Sequence, residues 1–197
     1  MPSVDEDAQQ PEEIVWQGRF ITTKLRGKWE YVSRARGIRA AVIVAIDGHG
    51  DKEADSGPHI LLVEQYRVPL GRICIELPAG LVGDHEDIED EDVLTAAARE
   101  LEEETGYRAD HMEKLGEFWS SPGMVSESFT LVHAHGLTKV GPGGGTEGEN
   151  ITVHHVKLAA LADFIAARRA LGNAIDVKLL LLLGPNLLGS CLLGDLV

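Results

Sequence analysis

The chain has 197 residues, 44% hydrophobic and 25% charged, and its 32 acidic against 18 basic residues give a formal net charge of -14. That length supports one domain with a real core, and the charge argues against a nucleic-acid polymer as partner, because phosphate backbones are bound by excess Lys and Arg. The two cysteines, Cys74 and Cys191, stand apart in apolar surroundings, which argues against a disulfide framework or a cysteine zinc site and reads both as buried small hydrophobes.

Residues 1–13 are acidic and polar, carry no apolar secretory core, and read as a disordered tail. Residues 14–37 read as an N-terminal β-hairpin, with Ile14-Val15-Trp16 and Lys28–Val32 as its arms around Arg26-Gly27. The main domain is expected over 38–197. The continuous apolar run Ala40–Ile46 predicts a strand buried on both faces. Further strands are expected at Ile60–Val63 and Ile73–Leu77, the second broken by Pro78-Ala79-Gly80. An acidic loop precedes the clearest helix, about Asp92 to Thr105, whose buried stripe is Leu94, Ala97, Ala98 and Leu101 and whose C-cap is Gly106. Phe118–Ser120 and Phe129–His133 read as strands around a Ser121-Pro122-Gly123 turn, and Ile151–Val156 as the last strand. The glycine-rich segment Gly141–Gly148 lacks the Gly-Lys-Ser/Thr of a phosphate loop and reads as hinge material. Leu158–Leu171 and Ile175–Leu183 are expected helices. The Leu-rich run Leu179–Leu183, stopped by Gly184-Pro185, is too short to span a bilayer, so no membrane association is expected and a cytoplasmic location follows by default. Mixed strands with few helices predict an α+β helix–sheet–helix (α/β/α) sandwich with a mixed sheet.

The most informative segment is Arg99-Glu100-Leu101-Glu102-Glu103-Glu104-Thr105-Gly106-Tyr107. Glu100, Glu103 and Glu104 stand at i, i+3 and i+4 and share one helix face, where like charges repel. A solvated charged face is one account of such a helix. The other is an oxygen-ligand cation site, which suits magnesium or manganese rather than zinc. Two neighbours favour the second account. The strand ending at Glu76-Leu77-Pro78-Ala79-Gly80 offers a free carbonyl beside the helix, and Arg99, four residues before Glu103, is placed to fix that carboxylate. The pair His154-His155 lies on a strand, points to opposite faces and makes no joint metal site.

These residues resemble the signature of the Nudix hydrolase family: Glu91, seven residues, then Arg99, Glu100, Leu101, Glu103, Glu104 and Gly106, with Tyr107 in the last aliphatic place. The signature glycine spacing fits Gly80 to Glu86, whereas the helix-side spacing selects Glu91, which implies an insertion of about five residues near His85–Asp90. Glu64-Gln65-Tyr66-Arg67, Glu76–Gly80, Ser121-Pro122-Gly123 and Glu147-Gly148-Glu149 look like the ADP-ribose pyrophosphatase branch. The resemblance implies a metal-dependent enzyme, with Mg2+ or Mn2+, that cuts the pyrophosphate of a nucleoside diphosphate sugar. An ADP-hexose, GDP-mannose, NADH or an oxidised nucleotide is the alternative substrate, and a non-catalytic nucleotide-binding regulator the alternative role. It further implies Glu100, Glu103, Glu104, Glu149 and the Ala79 carbonyl as metal ligands, and Glu149, Glu147 and Glu103 as catalytic carboxylates. Arg67 would hold a phosphate, Phe20 and Trp29 would sandwich the adenine, and Ala79, Leu81 and Met124 would line the substrate site. The branch also implies a homodimer in which the N-terminal strands of 14–37 help build the partner's site.

Overall fold

The computed structural model describes residues 6–35, 38–48, 57–83, 92–146 and 148–183. The chain opens with a 3-10 turn, Glu6–Gln9, and a three-stranded antiparallel sheet of β1 (Glu12–Gln17), β2 (Ile21–Arg26) and β3 (Trp29–Arg34), in the order β1-β2-β3. The expected turn forms one residue on, at Gly27-Lys28, and its arms are β2 and β3. Ile14–Trp16 belongs to β1, which joins the outer edge of β2 through a bulge between Ile14 and Trp16. The β2 segment hides from a hydrophobic-pattern reading because Thr22, Thr23 and Lys24 interrupt it, although threonine is β-branched and suits a strand. The acidic segment 1–13 is likewise not wholly a tail, since Glu12 and Glu13 lie in β1. Ion pairs stand in for the apolar contacts it lacks: Glu12 meets Lys24 at 2.7 Å and Asp7 meets Lys28 at 3.2 Å.

The main sheet assembles around β4 (Arg39–Asp47), β5 (His59–Arg67), β6 (Arg72–Glu76), β7 (Ala79–Val82), β8 (Tyr107–Trp119), β9 (Ser128–Lys139), β10 (Thr152–Lys157) and β11 (Ala174–Ile175). Its path is β11-β6-β5-β4-β9-β8, with β10 added to β5 and β7 to β4. Strand β4 runs parallel to β9 and antiparallel to β5, so the sheet is mixed. As its apolar run requires, β4 is buried on both faces from Ala41 to Ala45. One face, with Ala41, Ile43, Ala45, Leu61, Val132 and Ala134, packs on helix α1 (Val93–Thr105) through Ala96, Ala97 and Leu101. The other, with Val42, Val44, Leu62, Ile75 and Leu131, packs on Leu161, Phe164 and Ile165 of helix α2 (Leu161–Ala170) and on Leu179. This is the expected helix–sheet–helix sandwich.

Asp92 caps α1, its carboxylate accepting from the amides of Leu94 and Thr95 at 3.1 and 3.3 Å. Gly106 ends it in the left-handed conformation at φ 72. The buried stripe follows Ala97, Leu101 and Glu104 with Ala96 on its shoulder, and Ala98, expected inside, is exposed. Strand β8 begins immediately after Gly106, far earlier than the apolar Phe118 marks it, because its outward residues are charged or histidine. The expected helix Ile175–Leu183 does not form as such. Ile175 pairs with Ile75 as part of β11, and Val177–Leu183 is a 3-10 helix. A run of leucines fills core space in either geometry and carries no period to separate them. Among the described residues no helix is long and apolar enough to cross a membrane.

Candidate active site

Strand β7 and the C-terminal half of α1 meet at the centre of the site. Ile43 donates its amide to the carbonyl of Pro78 at 2.8 Å. The antiparallel alternation then turns the amide and carbonyl of Ala79 away from β4, toward α1. The Ala79 amide donates to Glu104 Oε2 at 2.9 Å. Next to it, Gly80 faces Glu100 so closely that a Cβ there would stand 1.9 Å from Glu100 Cδ, and the glutamate would have to move aside.

Glu104 is 5% exposed. Burial pushes its carboxyl up to about 8, against the Ala79 hydrogen bond that lowers it, and the charges of Glu100 and Glu149 push the same way as burial. Arg99 lies beside the acidic turn, part-buried, with one nitrogen 3.5 Å from the Leu81 carbonyl of β7. The other terminal nitrogen donates to Glu100 Oε1 at 2.9 Å and to Glu103 Oε2 at 3.2 Å, the contact its i, i+4 spacing predicts.

Glu100, Glu104, Ala79, Gly80 and Leu81 form one wall of a cleft of about 450 Å³, and Arg67, Glu76, Gln65 and Glu149 stand among the other lining residues. The Arg67 guanidinium is held by both oxygens of Glu76, at 2.6 and 3.0 Å, a bidentate bond that raises its pKa further. Glu149 belongs to the loop between β9 and β10. Its side chain accepts from the Thr146 amide at 2.6 Å, and its carbonyl accepts from Gln65 Nε2 at 3.2 Å.

The glycines of that loop do more than permit motion. The amides of Gly144 and Gly145 donate to the carbonyls of Glu104 and Glu103 at 2.8 and 3.0 Å, so the loop caps α1. The segment read as hinge material thus packs on the end of α1, which ties the position of Glu149 to the acidic turn.

The structure therefore brings Arg67, Ala79, Leu81, Glu100, Glu104 and Glu149 to one cleft. Glu103 does not line it; its carboxylate turns to Arg99. Phe20, Trp29 and Met124 do not line it either, and are 60%, 46% and 62% exposed. Trp29 lines a separate, more apolar hollow with Tyr31, Pro122 and Val125. Glu147, Glu91, Cys191 and the expected insertion at 85–90 lie outside the described residues. Glu76 is a cleft residue outside the expected set, although a lone acid in the apolar run Ile73–Leu77 is the signal of a paired buried carboxylate. Arg34 and Glu127, bonded to each other at the cleft wall, carry no such signal. His154 and His155 turn to different partners, Glu64 at 2.8 Å and Asp47 at 3.4 Å. Cys74 is buried, and burial with the charge of Glu76 pushes its thiol up to about 12, far from reactivity.

A model of the NUDIX domain matches residues 37–176. The chain belongs to the Nudix hydrolase family. Among its Nudix relatives, an uncharacterised Nudix hydrolase of Schizosaccharomyces pombe is 33% identical over 161 residues, covering 77% of this chain and 73% of that one. The ADP-ribose pyrophosphatase of Mycobacterium tuberculosis is 36% identical over 137 residues, covering 69% of this chain and 58% of that protein, so the match spans less than two thirds of it. A crystal structure of an ADP compounds hydrolase superposes with a TM-score of 0.62 at 23% identity, over 88% of this chain and 89% of that one. That likeness establishes the shared Nudix fold.

Proposed function

We propose that this Nudix hydrolase cuts the pyrophosphate bond of a nucleoside diphosphate sugar with Mg2+ or Mn2+, converting ADP-ribose to AMP and ribose 5-phosphate. The observation that carries this reading is Glu104: a carboxylate buried at the wall of an open cleft, crowded by Glu100 and Glu149, with its pKa raised to about 8. A buried acid repelled by its neighbours has an obvious complement in a cation bound among them.

The donor set fits a hard divalent ion. Glu100 and Glu104 supply carboxylate oxygens, the Ala79 carbonyl leaves β7 on the same side, and Glu149 faces them from the loop. Glu103 then acts from outside, by holding Arg99 against Glu100. When bound, the metal supplies neutralisation of phosphate charge and a more acidic water. The remaining work falls to side chains. Arg67, kept in place by Glu76, holds a phosphate oxygen with its remaining donors. Glu149, with Glu147 as the alternative, orients the attacking water and accepts its proton, a contribution typically of about 10²–10⁴-fold.

Phe20 and Trp29 stack on the adenine, with Leu81 and Met124 beside it. Their separation from the cleft in one chain fits a homodimer in which 14–37 of one protomer reaches the site of the other. The exposed apolar residues of β1, Ile14, Val15 and Trp16, supply a surface for that association. A substrate panel tests the reading: ADP-ribose, ADP-glucose, GDP-mannose and NADH with magnesium, products identified by chromatography. Highest kcat/KM on ADP-ribose with AMP as product supports it. Preference for GDP-mannose or NADH, or tight ADP-ribose binding without turnover, rejects it.

A further inference from the structure

The sheet carries a second cluster of ligating side chains on the face turned away from α1. Strands β8 and β9 pair so that Glu113 stands opposite His133 and His111 opposite His135. Side chains alternate along a strand, so His133 and His135 share the face of Leu131, whereas Val132 and Ala134 pack toward α1. The cluster is also displaced along the strand. Phe129 lines the diphosphate cleft, and His133 is four residues further on, roughly 13 Å at ~3.3 Å per residue.

The groups converge. His135 Nε2 lies 3.1 Å from Glu113 Oε2, and the His133 and His135 rings are 3.8 Å apart at their centroids. One ligand atom from each of Glu113, His133 and His135 lies within 4.8 Å of the other two. His133 is 7% exposed, and its Nδ1 is buried with no hydrogen-bond partner among the described residues. Buried ring nitrogens are ordinarily satisfied, so an orphan beside a histidine and a carboxylate marks a missing partner.

We propose that Glu113, His133 and His135 form a second metal site, for a transition-metal ion of the zinc class, separate from the diphosphate cleft. Two imidazoles and one carboxylate are a zinc-type donor set, whereas magnesium takes oxygen ligands. Bonds of ~2.0–2.1 Å require ligand atoms ~3.4 Å apart, so the three side chains close by small rotations. His111, stacked on His135 at 5.8 Å, or a water takes the fourth position. The ion ties the edge strand β8 to β9.

The test is titration of the full-length protein with Zn2+ in excess Mg2+ by calorimetry, with Co2+ as an optical probe. One equivalent of Zn2+ is expected, and Co2+ should give visible bands of low-coordinate nitrogen and oxygen ligation. Both signals should survive in Glu104→Gln and weaken at least tenfold in His135→Ala and in Glu113→Gln. Those two variants should keep their magnesium-dependent hydrolysis and far-ultraviolet spectra. Absence of stoichiometric Zn2+ binding overturns the proposal, as does binding that persists in both variants or disappears in Glu104→Gln.

Discussion

Gly80 and Glu100 are in contact so close that the strand carries no side chain because the helix carries that one. The atoms a Cβ would strike are Cδ, Cγ and Oε1 of Glu100, at 1.9, 2.0 and 2.2 Å, all side chain and none backbone. A side chain can rotate where backbone cannot, and Gly80 has ordinary strand torsions. Gly80→Ala is therefore expected to leave the melting temperature within a few degrees of wild type while displacing the carboxylate. Magnesium-dependent turnover should fall at least tenfold, and the metal concentration for half-maximal rate should rise. Steady-state kinetics across a magnesium series, beside a thermal melt, check both halves.

The raised pKa of Glu104 makes a prediction about stability without metal. Below pH 4.5, its ordinary value, the carboxyl is protonated in folded and unfolded chains alike. Between there and about 8 the folded chain binds the proton more tightly, so this group's stabilisation is lost progressively as pH rises, and its effect is flat above. Denaturant melts in EDTA from pH 5 to 9 should show that downward contribution. It should be absent in Glu104→Gln, which mimics the protonated acid, and saturating magnesium should offset it in the wild type.

Arg67 and Glu76 act as one unit. Removing the guanidinium in Arg67→Ala should raise KM for the diphosphate substrate roughly 10–100-fold, the worth of a charged hydrogen bond. Lysine should not restore it, because the bidentate fork to Glu76 is lost. Glu76→Gln should raise KM in the same direction by loosening the arginine. Unchanged KM in all three would remove Arg67 from phosphate binding.

Gly143 sits at φ 70, with Thr105 backbone where a Cβ would go, 2.4 Å from its carbonyl carbon. Neither chain segment can yield as a side chain would. Gly143→Ala is expected to cost about 1–3 kcal/mol in equilibrium unfolding. It should also lower kcat, because the same loop positions Glu149.

What could be read from the sequence follows from where physical constraint is local. The burial of β4, the start of α1 near Asp92, the stop at Gly106 and the Arg99–Glu103 contact are each fixed by residues a few positions apart. The acidic turn was legible for the same reason. The long β8 was not, since its exposed edge tolerates His, Glu and Lys at positions an alternation reading takes for loop. The link from Gly144 and Gly145 to the end of α1 depends on segments about forty positions apart, which no local period encodes. Glu76 stands out as a lone acid in an apolar strand, but its partner Arg67 is brought to it by the pairing of β5 with β6, which no local pattern names. The leucines after Asp176 mark core without naming its geometry.

The proposed function rests on Glu104 being buried at the cleft to meet a divalent cation and, through it, the substrate diphosphate. The most direct measurement is turnover of ADP-ribose by Glu104→Gln at saturating magnesium, with a melt to show that the fold is intact. Glutamine keeps the shape and can still accept from the Ala79 amide, so the expected outcome is a folded protein whose kcat has fallen by about 10²-fold or more. A folded variant that releases AMP at the wild-type rate would contradict it.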